Sequence, residues 1–242
     1  MSNYALLPNG KRIRKYQWSG VEGEEVVSPT KEWVEFQEKV LFEKKLISSG
    51  IPPKSVQYGF EGYIGPDKNG NIKRLTEKYI PQFKDKYRST SLYFWGEKNS
   101  TQKTTTASLI GAELLRKEFS VEMILMGDLV RSLLKQGFDE SVEDAITRCY
   151  EVDLLIIDDA FDSEKVTLYK SGYQISFIDE FLRKRIERFN RATIFTANLP
   201  VEDIGKKFSR HIQALLERTV VSMEFEDSVS LKDDFNPNDI WN

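Results

Sequence analysis

The segment SLYFWGEKNSTQKTTT, residues 91–106, combines a strand-like sequence with a lysine and a group of hydroxyl side chains. Its first five residues, Ser91–Trp95, are apolar or β-prone and predict a buried strand. A short polar loop then leads to Lys103 and Thr104, and a helical pattern extends over 105–119. Backbone N–H groups and the helix dipole at such a loop favour bound phosphate. In this arrangement the lysine reaches the β- and γ-phosphates and the threonine hydroxyl binds Mg²⁺.

The loop departs from the usual phosphate-binding pattern, G-x-x-x-x-G-K-[ST], at two positions. Gly96 lies one residue further from Lys103 than the pattern requires, and Gln102 stands at the second glycine. That glycine normally permits a positive φ angle or a close backbone approach. Taken alone, the segment fits either a phosphate-binding loop or an ordinary strand-to-helix turn. The residues of the candidate loop are Gly96, Asn99, Ser100, Thr101, Gln102, Lys103, Thr104 and Thr105.

A second candidate group stands at the end of the sequence DLLIIDD, residues 153–159. Its four consecutive apolar residues are typical of a strand buried on both faces of a parallel sheet. Asp158 and Asp159 follow at the carboxyl end, where α/β sheets place their chemistry. Asp158 suits Mg²⁺, and Asp159 is placed to polarise an attacking water. The alternative is a buried strand capped by solvated acids, but the Lys-Thr loop upstream favours the phosphate site.

Length and composition exclude several classes of protein. The 242 residues suit one domain, or a domain with a small appendage, and a net charge of −3 requires any DNA contact to be local. Cys149 is the only cysteine and His211 the only histidine, which excludes an intramolecular disulfide and a metal site built from cysteines or histidines. No apolar run approaches the roughly 20 residues that span a bilayer, and Met1–Gly10 lacks the apolar core of a signal peptide. We therefore expect a cytoplasmic protein without a membrane partner.

The sequence divides into an N-terminal arm with a helix, residues 1–45, and a main domain, residues 46–242, which contains the phosphate-binding segment. Residues 1–30 show no sustained period. The basic cluster Lys11–Lys15, with Tyr16 and Trp18, fits a nucleic-acid contact, a solvated arm or a partner-binding peptide. Thr30 is a candidate N-cap for an amphipathic helix that ends at Gly50. That helix either packs on the main domain or docks a partner protein.

Three further segments of the chain have the pattern of a strand: 121–126, 192–197 and 220–225. Because they alternate with helical patterns, the sequence predicts an α/β fold with a five-stranded parallel sheet. Between the second and third strands an insertion, 127–150, carries Arg131, Lys135 and Arg148. A local basic stripe on an acidic protein predicts a DNA contact, and the alternative is that these cations only solvate amphipathic helices.

With FWG…QKT, LLIIDD and TIFTANLP in that order, the chain resembles the AAA+ ATPases. Within them it is similar to the DnaC/DnaI-type helicase loaders and the IstB-type transposition ATPases. The resemblance covers about residues 46–227. It implies an AAA+ sheet flanked by helices, a small or absent lid, a short N-terminal helical extension, and ATP with Mg²⁺ as the ligands.

The resemblance also implies a role for each matching residue. Lys103 and Thr104 match the Walker A lysine and threonine, and Asp158 and Asp159 match Walker B. Thr104 and Asp158 would hold the metal. Asn198 matches the sensor-1 asparagine, which orients the water or the γ-phosphate.

Arg218 matches the arginine finger, which acts on ATP bound to a neighbouring subunit. Arg210 is the rival candidate, and the alternative role for Arg218 is to complement the dipole of its helix. The family often has a sensor-2 arginine after the last strand, whereas residues 227–235 offer only Lys232. The sensor-2 assignment therefore stays open.

The function that the resemblance implies is that of an ATPase, slow until a partner or DNA stimulates it. It would load a hexameric replicative helicase onto single-stranded DNA and would self-associate through the ATP site. The compact form suggests a phage or mobile-element origin. The alternatives are an IstB-like helper ATPase on duplex DNA, or a degenerate nucleotide-binding protein without turnover.

Overall fold

The computed structural model describes residues 4–6, 12–27, 31–62, 69–96, 102–136, 139–161 and 172–225. The chain divides into two units, Met1–Lys45 and Leu46–Asn242. Across the described ranges, no helix is both long and apolar enough to cross a membrane.

The N-terminal unit contains an antiparallel sheet that the sequence analysis did not predict. Its strands are β1 (Tyr4–Leu6), β2 (Arg12–Trp18) and β3 (Val21–Val27), in the order β1-β2-β3. Ser19 and Gly20, both with positive φ, make the two-residue turn between β2 and β3. The N-terminal extension is thus a three-stranded sheet followed by a helix. The interspersed charges of β2 masked its β-prone residues.

The predicted basic cluster lies largely on β2, the central strand of this sheet. The register places Arg14 opposite Glu25 and Lys15 opposite Glu24. Any contact of the cluster with a nucleic acid stays a prediction, and Lys11 lies outside the described residues.

Helix α1 (Lys31–Ser48) follows, as its sequence pattern predicts, while the proposed cap Thr30 lies outside the described residues. Gly50 ends it with a φ of 72°. A Cβ at this position would lie 2.2 Å from the Met123 carbonyl oxygen, so the close backbone approach requires glycine. Ser49 O accepts a hydrogen bond of 2.8 Å from Met123 N, which covers an edge of the main sheet.

The segment before the main sheet is helical but irregular. It contains 3₁₀ turns at Pro53–Val56 and Phe60–Gly62, a short helix α2 (Asn71–Arg74), and π-helical turns at Leu75–Tyr79 and Phe83–Tyr87. The wider π turns bring a buried residue inward at every fourth position: Asn71, Leu75, Tyr79 and Phe83.

The main sheet has five parallel strands in the order β5-β6-β7-β4-β8. They are β4 (Ser91–Trp95), β5 (Val121–Leu125), β6 (Leu154–Asp158), β7 (Ala192–Ala197) and β8 (Val220–Glu224). All residues of β6 and β7 are buried, which explains their unbroken apolar sequences. The expected α/β fold with a five-stranded parallel sheet is confirmed.

Helices connect these strands, as the alternation of strand and helical patterns predicts. They are α3 (Lys103–Arg116), α4 (Met126–Lys135), α5 (Glu140–Glu151), α6 (Gly172–Arg183), α7 (Val201–Lys207) and α8 (Arg210–Thr219). A π-helical turn, Lys184–Arg188, continues α6. Asp139 caps α5 by accepting a hydrogen bond from Ser141 N, and Ser209 caps α8 through Ile212 N.

Arg185 is a fully buried cation that ties α5 to the sheet. Its guanidinium donates to the carbonyls of Cys149, Tyr150, Val152 and Ala192 at 2.7–3.1 Å and to the Thr193 hydroxyl at 3.0 Å. Burial lowers the pKa of Arg185 to about 9, so the group stays protonated at neutral pH. These bonds satisfy the carboxyl end of α5 and fix it against the start of β7.

A cluster around Asp153 joins the amino ends of four strands. Its carboxylate accepts hydrogen bonds from Arg88 Nε at 2.9 Å, Arg191 Nη1 at 3.0 Å and Ser120 Oγ at 3.0 Å. Burial alone would raise the pKa of Asp153, but hydrogen bonds from Arg88 and Ser120 outweigh it and hold that pKa below its ordinary value. The cluster lies at the sheet edge opposite the candidate site and therefore serves stability.

Replacing Asp153 by asparagine is expected to lower the free energy of unfolding by about 2 kcal/mol at neutral pH, because two arginines lose their carboxylate. A carboxyl whose folded-state pKa is depressed stabilises the fold above its unfolded-state pKa, and that stability is lost as pH falls through the folded-state pKa. The difference between Asp153→Asn and wild type should therefore be largest above the unfolded-state pKa of an aspartate, about 3.9, and should shrink as the pH falls below it. Urea unfolding across this range measures it, with Asp85→Asn as an exposed control. A pH-independent difference would contradict the assignment.

Candidate functional site

The predicted site residues follow three strands that are neighbours in the sheet, β6, β7 and β4. Lys103 and Thr104 begin the helix after β4, Asp158 ends β6, and Asn198 follows β7. Because the strands are parallel, their carboxyl ends meet at one edge, where α/β proteins bind ligands. The fold therefore brings the lysine, hydroxyl, carboxylate and amide groups to one place.

Gln102, at the position where the phosphate-binding pattern has glycine, adopts the conformation that a glycine would supply. Its φ of 57° and ψ of 19° are left-handed, and its carbonyl accepts a hydrogen bond of 2.8 Å from Thr106 N in the first turn of α3. A side chain in this region costs about 1–2 kcal/mol. The departure from the pattern thus changes the residue but not the local backbone shape. Gly96 is buried directly after β4, Thr105 lies in the first turn of α3, and Asn99, Ser100 and Thr101 lie outside the described residues.

Lys103 directs its ammonium back across the loop. Nζ donates a hydrogen bond of 3.0 Å to the carbonyl of Gly96, and the residue is only 6% exposed. A buried ammonium needs anionic or hydrogen-bonded compensation. Its position between the end of β4 and the start of α3 is where a bound phosphate would meet both the charge and the N-terminal N–H groups of the helix.

Asp158 connects the loop to the centre of the sheet. Its Oδ1 accepts a hydrogen bond of 2.7 Å from Thr104 Oγ1 and one of 2.5 Å from Thr196 Oγ1. The residue is 7% exposed. A carboxylate and a hydroxyl are thus in direct contact at the site.

Thr196, on β7, is a site residue that the sequence analysis missed. Its hydroxyl donates to Asp158 and accepts from Asp159 N at 3.1 Å, while its carbonyl accepts from Ala160 N at 2.8 Å. One buried threonine thus holds three consecutive residues at the end of β6. The sequence did carry a signal, since Thr196 lies only two residues before Asn198, near the end of the strand that leads to it.

The turn after β6 is strained where Thr196 holds it. Asp159 and Phe161 have φ angles of 52° and 57° without being glycine. Such conformations persist only where the surrounding structure imposes them. Here the Thr196 contacts and the burial of Phe161, which is 2% exposed, impose them, and the Asp159 side chain stays exposed at the edge.

Asn198 is half-buried at the same edge. The next residue, Leu199, accepts through its carbonyl a hydrogen bond of 2.9 Å from the buried Tyr93 hydroxyl. This contact fixes the chain leaving β7 against β4, so the backbone that carries Asn198 is anchored on both sides.

The residues at this edge fit Mg²⁺ bound together with a phosphate ligand. Mg²⁺ prefers oxygen donors and usually takes one or two protein groups, with waters and phosphates completing its coordination. The contact between Thr104 Oγ1 and Asp158 Oδ1 supplies such a pair. Within the described residues no cluster of three or more His, Cys, Asp or Glu forms a metal cage.

Arg218 lies at the other edge of the sheet. It is in the last turn of α8, which leads directly into the amino end of β8, and its exposed guanidinium pairs with Glu187. The five-residue strands separate the two edges by about 16 Å. Arg218 therefore lies far from the phosphate site of its own chain. Arg210, the rival candidate, is exposed at the start of α8.

The three predicted DNA contacts each have an acidic neighbour. Arg131 pairs with Asp128, Lys135 lowers the pKa of Asp139 after the stronger effect of hydrogen bonds from Ser141, and Arg148 lies close enough to Glu122 to oppose the burial that raises its pKa. Residues 126–151 carry six acidic and three basic side chains. The stripe is therefore less basic than its three cations suggest, and a DNA contact there stays a prediction.

No family model and no curated protein sequence matches the chain. Solved structures that share its fold include DnaI, with a TM-score of 0.60 at 18% identity over 72% of this chain and 94% of that one. The DnaC helicase loader gives 0.58 at 14% identity over 72% and 99%. The replication initiator DnaA, bound to AMPPCP and single-stranded DNA, gives 0.55 at 15% identity over 70% and 50%.

These similarities confirm the fold expected from the sequence motifs. At such low identity they establish the architecture and nothing more specific. The chain spans nearly the whole of the DnaI and DnaC structures but only half of the DnaA chain.

Proposed function

We propose that this chain, which has the fold of the AAA+ ATPases, binds and hydrolyses ATP with Mg²⁺ and loads a ring-shaped replicative helicase onto single-stranded DNA. The contact between Thr104 and Asp158, beside the buried Lys103, carries the proposal. It unites the ligands for a phosphate and its metal at one sheet edge. The likeness to DnaI and the DnaC helicase loader supports the role in replication.

Each site residue has a defined part in this reaction. Lys103 would bind the β- and γ-phosphates, and Thr104 and Asp158 would hold Mg²⁺, which neutralises developing charge. Asp159 would polarise the water that attacks the γ-phosphorus as the bond to ADP breaks. Asn198 would orient that water or the γ-phosphate. Thr196 would position Asp158 and Asp159 without touching the nucleotide.

The partners follow from the same proposal. The DnaA structure contains AMPPCP and single-stranded DNA, which supports a nucleotide and a DNA strand as ligands here. The partner protein would be a hexameric replicative helicase, docked through the N-terminal unit, and the protein would act in the cytoplasm. Self-association would place Arg218 of one subunit at the ATP of the next.

The test combines turnover with helicase capture. We expect wild-type protein to hydrolyse ATP, to do so faster with helicase or single-stranded DNA, and to co-purify with the helicase. Asp159→Asn should bind ATP but lose most turnover, whereas Asp203→Asn, which changes a half-buried acid on α7 that pairs with Lys206, should behave like wild type. Stimulation by duplex DNA alone would favour the transposition-helper alternative. Binding without turnover in wild type would favour the degenerate one.

Mixing variants tests whether Arg218 acts between subunits. Arg218→Ala removes the finger and Asp159→Asn removes the water-polarising group, so each protein alone should lose at least about tenfold in turnover. In a mixture, some interfaces combine an intact Arg218 with an intact Asp159. ATPase activity should therefore rise above that of either variant alone.

Arg210→Ala is the matched control and should leave turnover unchanged. The absence of recovery in a mixture whose subunits demonstrably exchange would refute the assignment, as would full activity of Arg218→Ala alone. Glu187→Gln removes the ion pair that Arg218 makes within its own chain, so this variant should not be less active than wild type.

A further inference from the structure

A basic surface of the main unit lies away from the predicted DNA stripe. Residues 71–90 carry six basic and two acidic side chains, on a chain whose net charge is −3. This segment connects Asn71, whose side-chain amide donates to the Glu224 carbonyl at the end of β8, with the amino end of β4. It therefore runs along the outside of the sheet from one edge to the other.

The mixed α and π turns sort the side chains of this segment into rows with a period of four. One row, Asn71, Leu75, Tyr79 and Phe83, is buried. Another is fully exposed and consists of Arg74, Lys78, Gln82 and Lys86. We call this second set the basic row. It contains three cations, one amide and no acid.

The cations of the basic row keep their charge available. In the described part of the chain, no carboxylate lies within ion-pair distance of Lys78 or Lys86. Lys86 instead lies 5.1 Å from the centre of the Tyr87 ring, and Arg74 donates to the Asn69 carbonyl. The two acids of the segment, Glu77 and Asp85, share a separate row with Lys73. By contrast, Arg131 of the predicted DNA stripe pairs with Asp128.

We infer that the basic row binds the phosphate backbone of a nucleic-acid strand; this inference rests on the DNA role proposed above and relocates its contact. At a helical rise the row extends about 18 Å, over which one strand of a duplex presents about five phosphates. Three exposed cations, an amide donor and a half-buried tyrosine beside Lys86 suit a strand that is bound by charge without reading its sequence.

The test is the salt dependence of binding to a single-stranded oligonucleotide. Each lost phosphate contact flattens the log–log slope by about 0.7, so Lys78→Ala/Lys86→Ala should flatten it by about 1.4. Lys78→Glu/Lys86→Glu should weaken binding at least about tenfold at low salt. Lys39→Ala/Lys44→Ala, an equal charge change on α1, and Arg131→Ala/Lys135→Ala should leave the slope near that of wild type.

Several results would overturn the inference. One is an unchanged slope for Lys78→Ala/Lys86→Ala, and another is an equal flattening in the α1 control, which would reveal only a net-charge effect. Unchanged DNA binding together with lost helicase capture would assign the row to an acidic protein surface. ATP binding is measured in the same samples, so a failure of the nucleotide site is seen separately from a failure of the row.

Discussion

Lys103→Ala is expected to weaken ATP binding by about 100-fold or more. A hydrogen bond to a charged group contributes about 1.5–3 kcal/mol, and this ammonium would contact two phosphates inside a confined site. Its 6% exposure means that water cannot readily replace the lost charge. Titration of a fluorescent ATP analogue into wild type and variant measures the loss.

Lys117→Ala, an exposed lysine just beyond the other end of α3, is the matched control and should bind like wild type. The loss should be much smaller for adenosine than for ATP, because the lysine acts on the phosphates. Equal ATP affinity for Lys103→Ala and wild type would show that this loop does not bind the phosphates. The circular dichroism of the variant confirms that the fold is retained.

Thr196→Val is expected to lower turnover about tenfold or more while changing ATP affinity far less. The substitution keeps the shape of the side chain but removes the hydroxyl that donates to Asp158 and accepts from Asp159 N. A buried N–H without a partner costs about 1–3 kcal/mol, and the strained turn at Asp159 loses one of its restraints. The two carboxylates should then lose their fixed relation to each other.

Thr196→Ser restores the hydroxyl and should recover most of the turnover. The concentration of Mg²⁺ needed for half-maximal activity should rise only in Thr196→Val. Thr219→Val, whose hydroxyl bonds within α8, controls for the substitution itself. If valine and serine reduced turnover equally, Thr196 would have a packing role and not a positioning one.

The sequence was sufficient for the architecture because the apolar strands are distinctive. The runs that became β6 and β7 are buried on both faces, so their composition predicts both their type and their parallel arrangement. The edge strand β8 was found as well, although it is partly exposed. The alternation of strand and helix supplied the rest.

Contacts between distant segments were not predictable in the same way. The left-handed backbone at Gln102 goes against residue preference and depends on the geometry between β4 and α3. The role of Thr196 depends on the adjacency of β6 and β7, which no local pattern encodes. The N-terminal sheet was missed because charged residues interrupt the alternation of apolar and polar residues in its strands. The basic row was missed because π turns change the helical period.

The most direct test of the nucleotide site is an ATP titration of the wild-type protein in Mg²⁺ and, separately, in EDTA. Thr104 and Asp158 are in contact at the site, and a hydroxyl and a carboxylate would bind Mg²⁺ together with waters and the phosphates of ATP. We predict saturable ATP binding that is at least about tenfold tighter in Mg²⁺, with AMP binding weakly and without a metal effect. No saturable binding, or equal affinity for ATP in Mg²⁺ and in EDTA, would contradict the account.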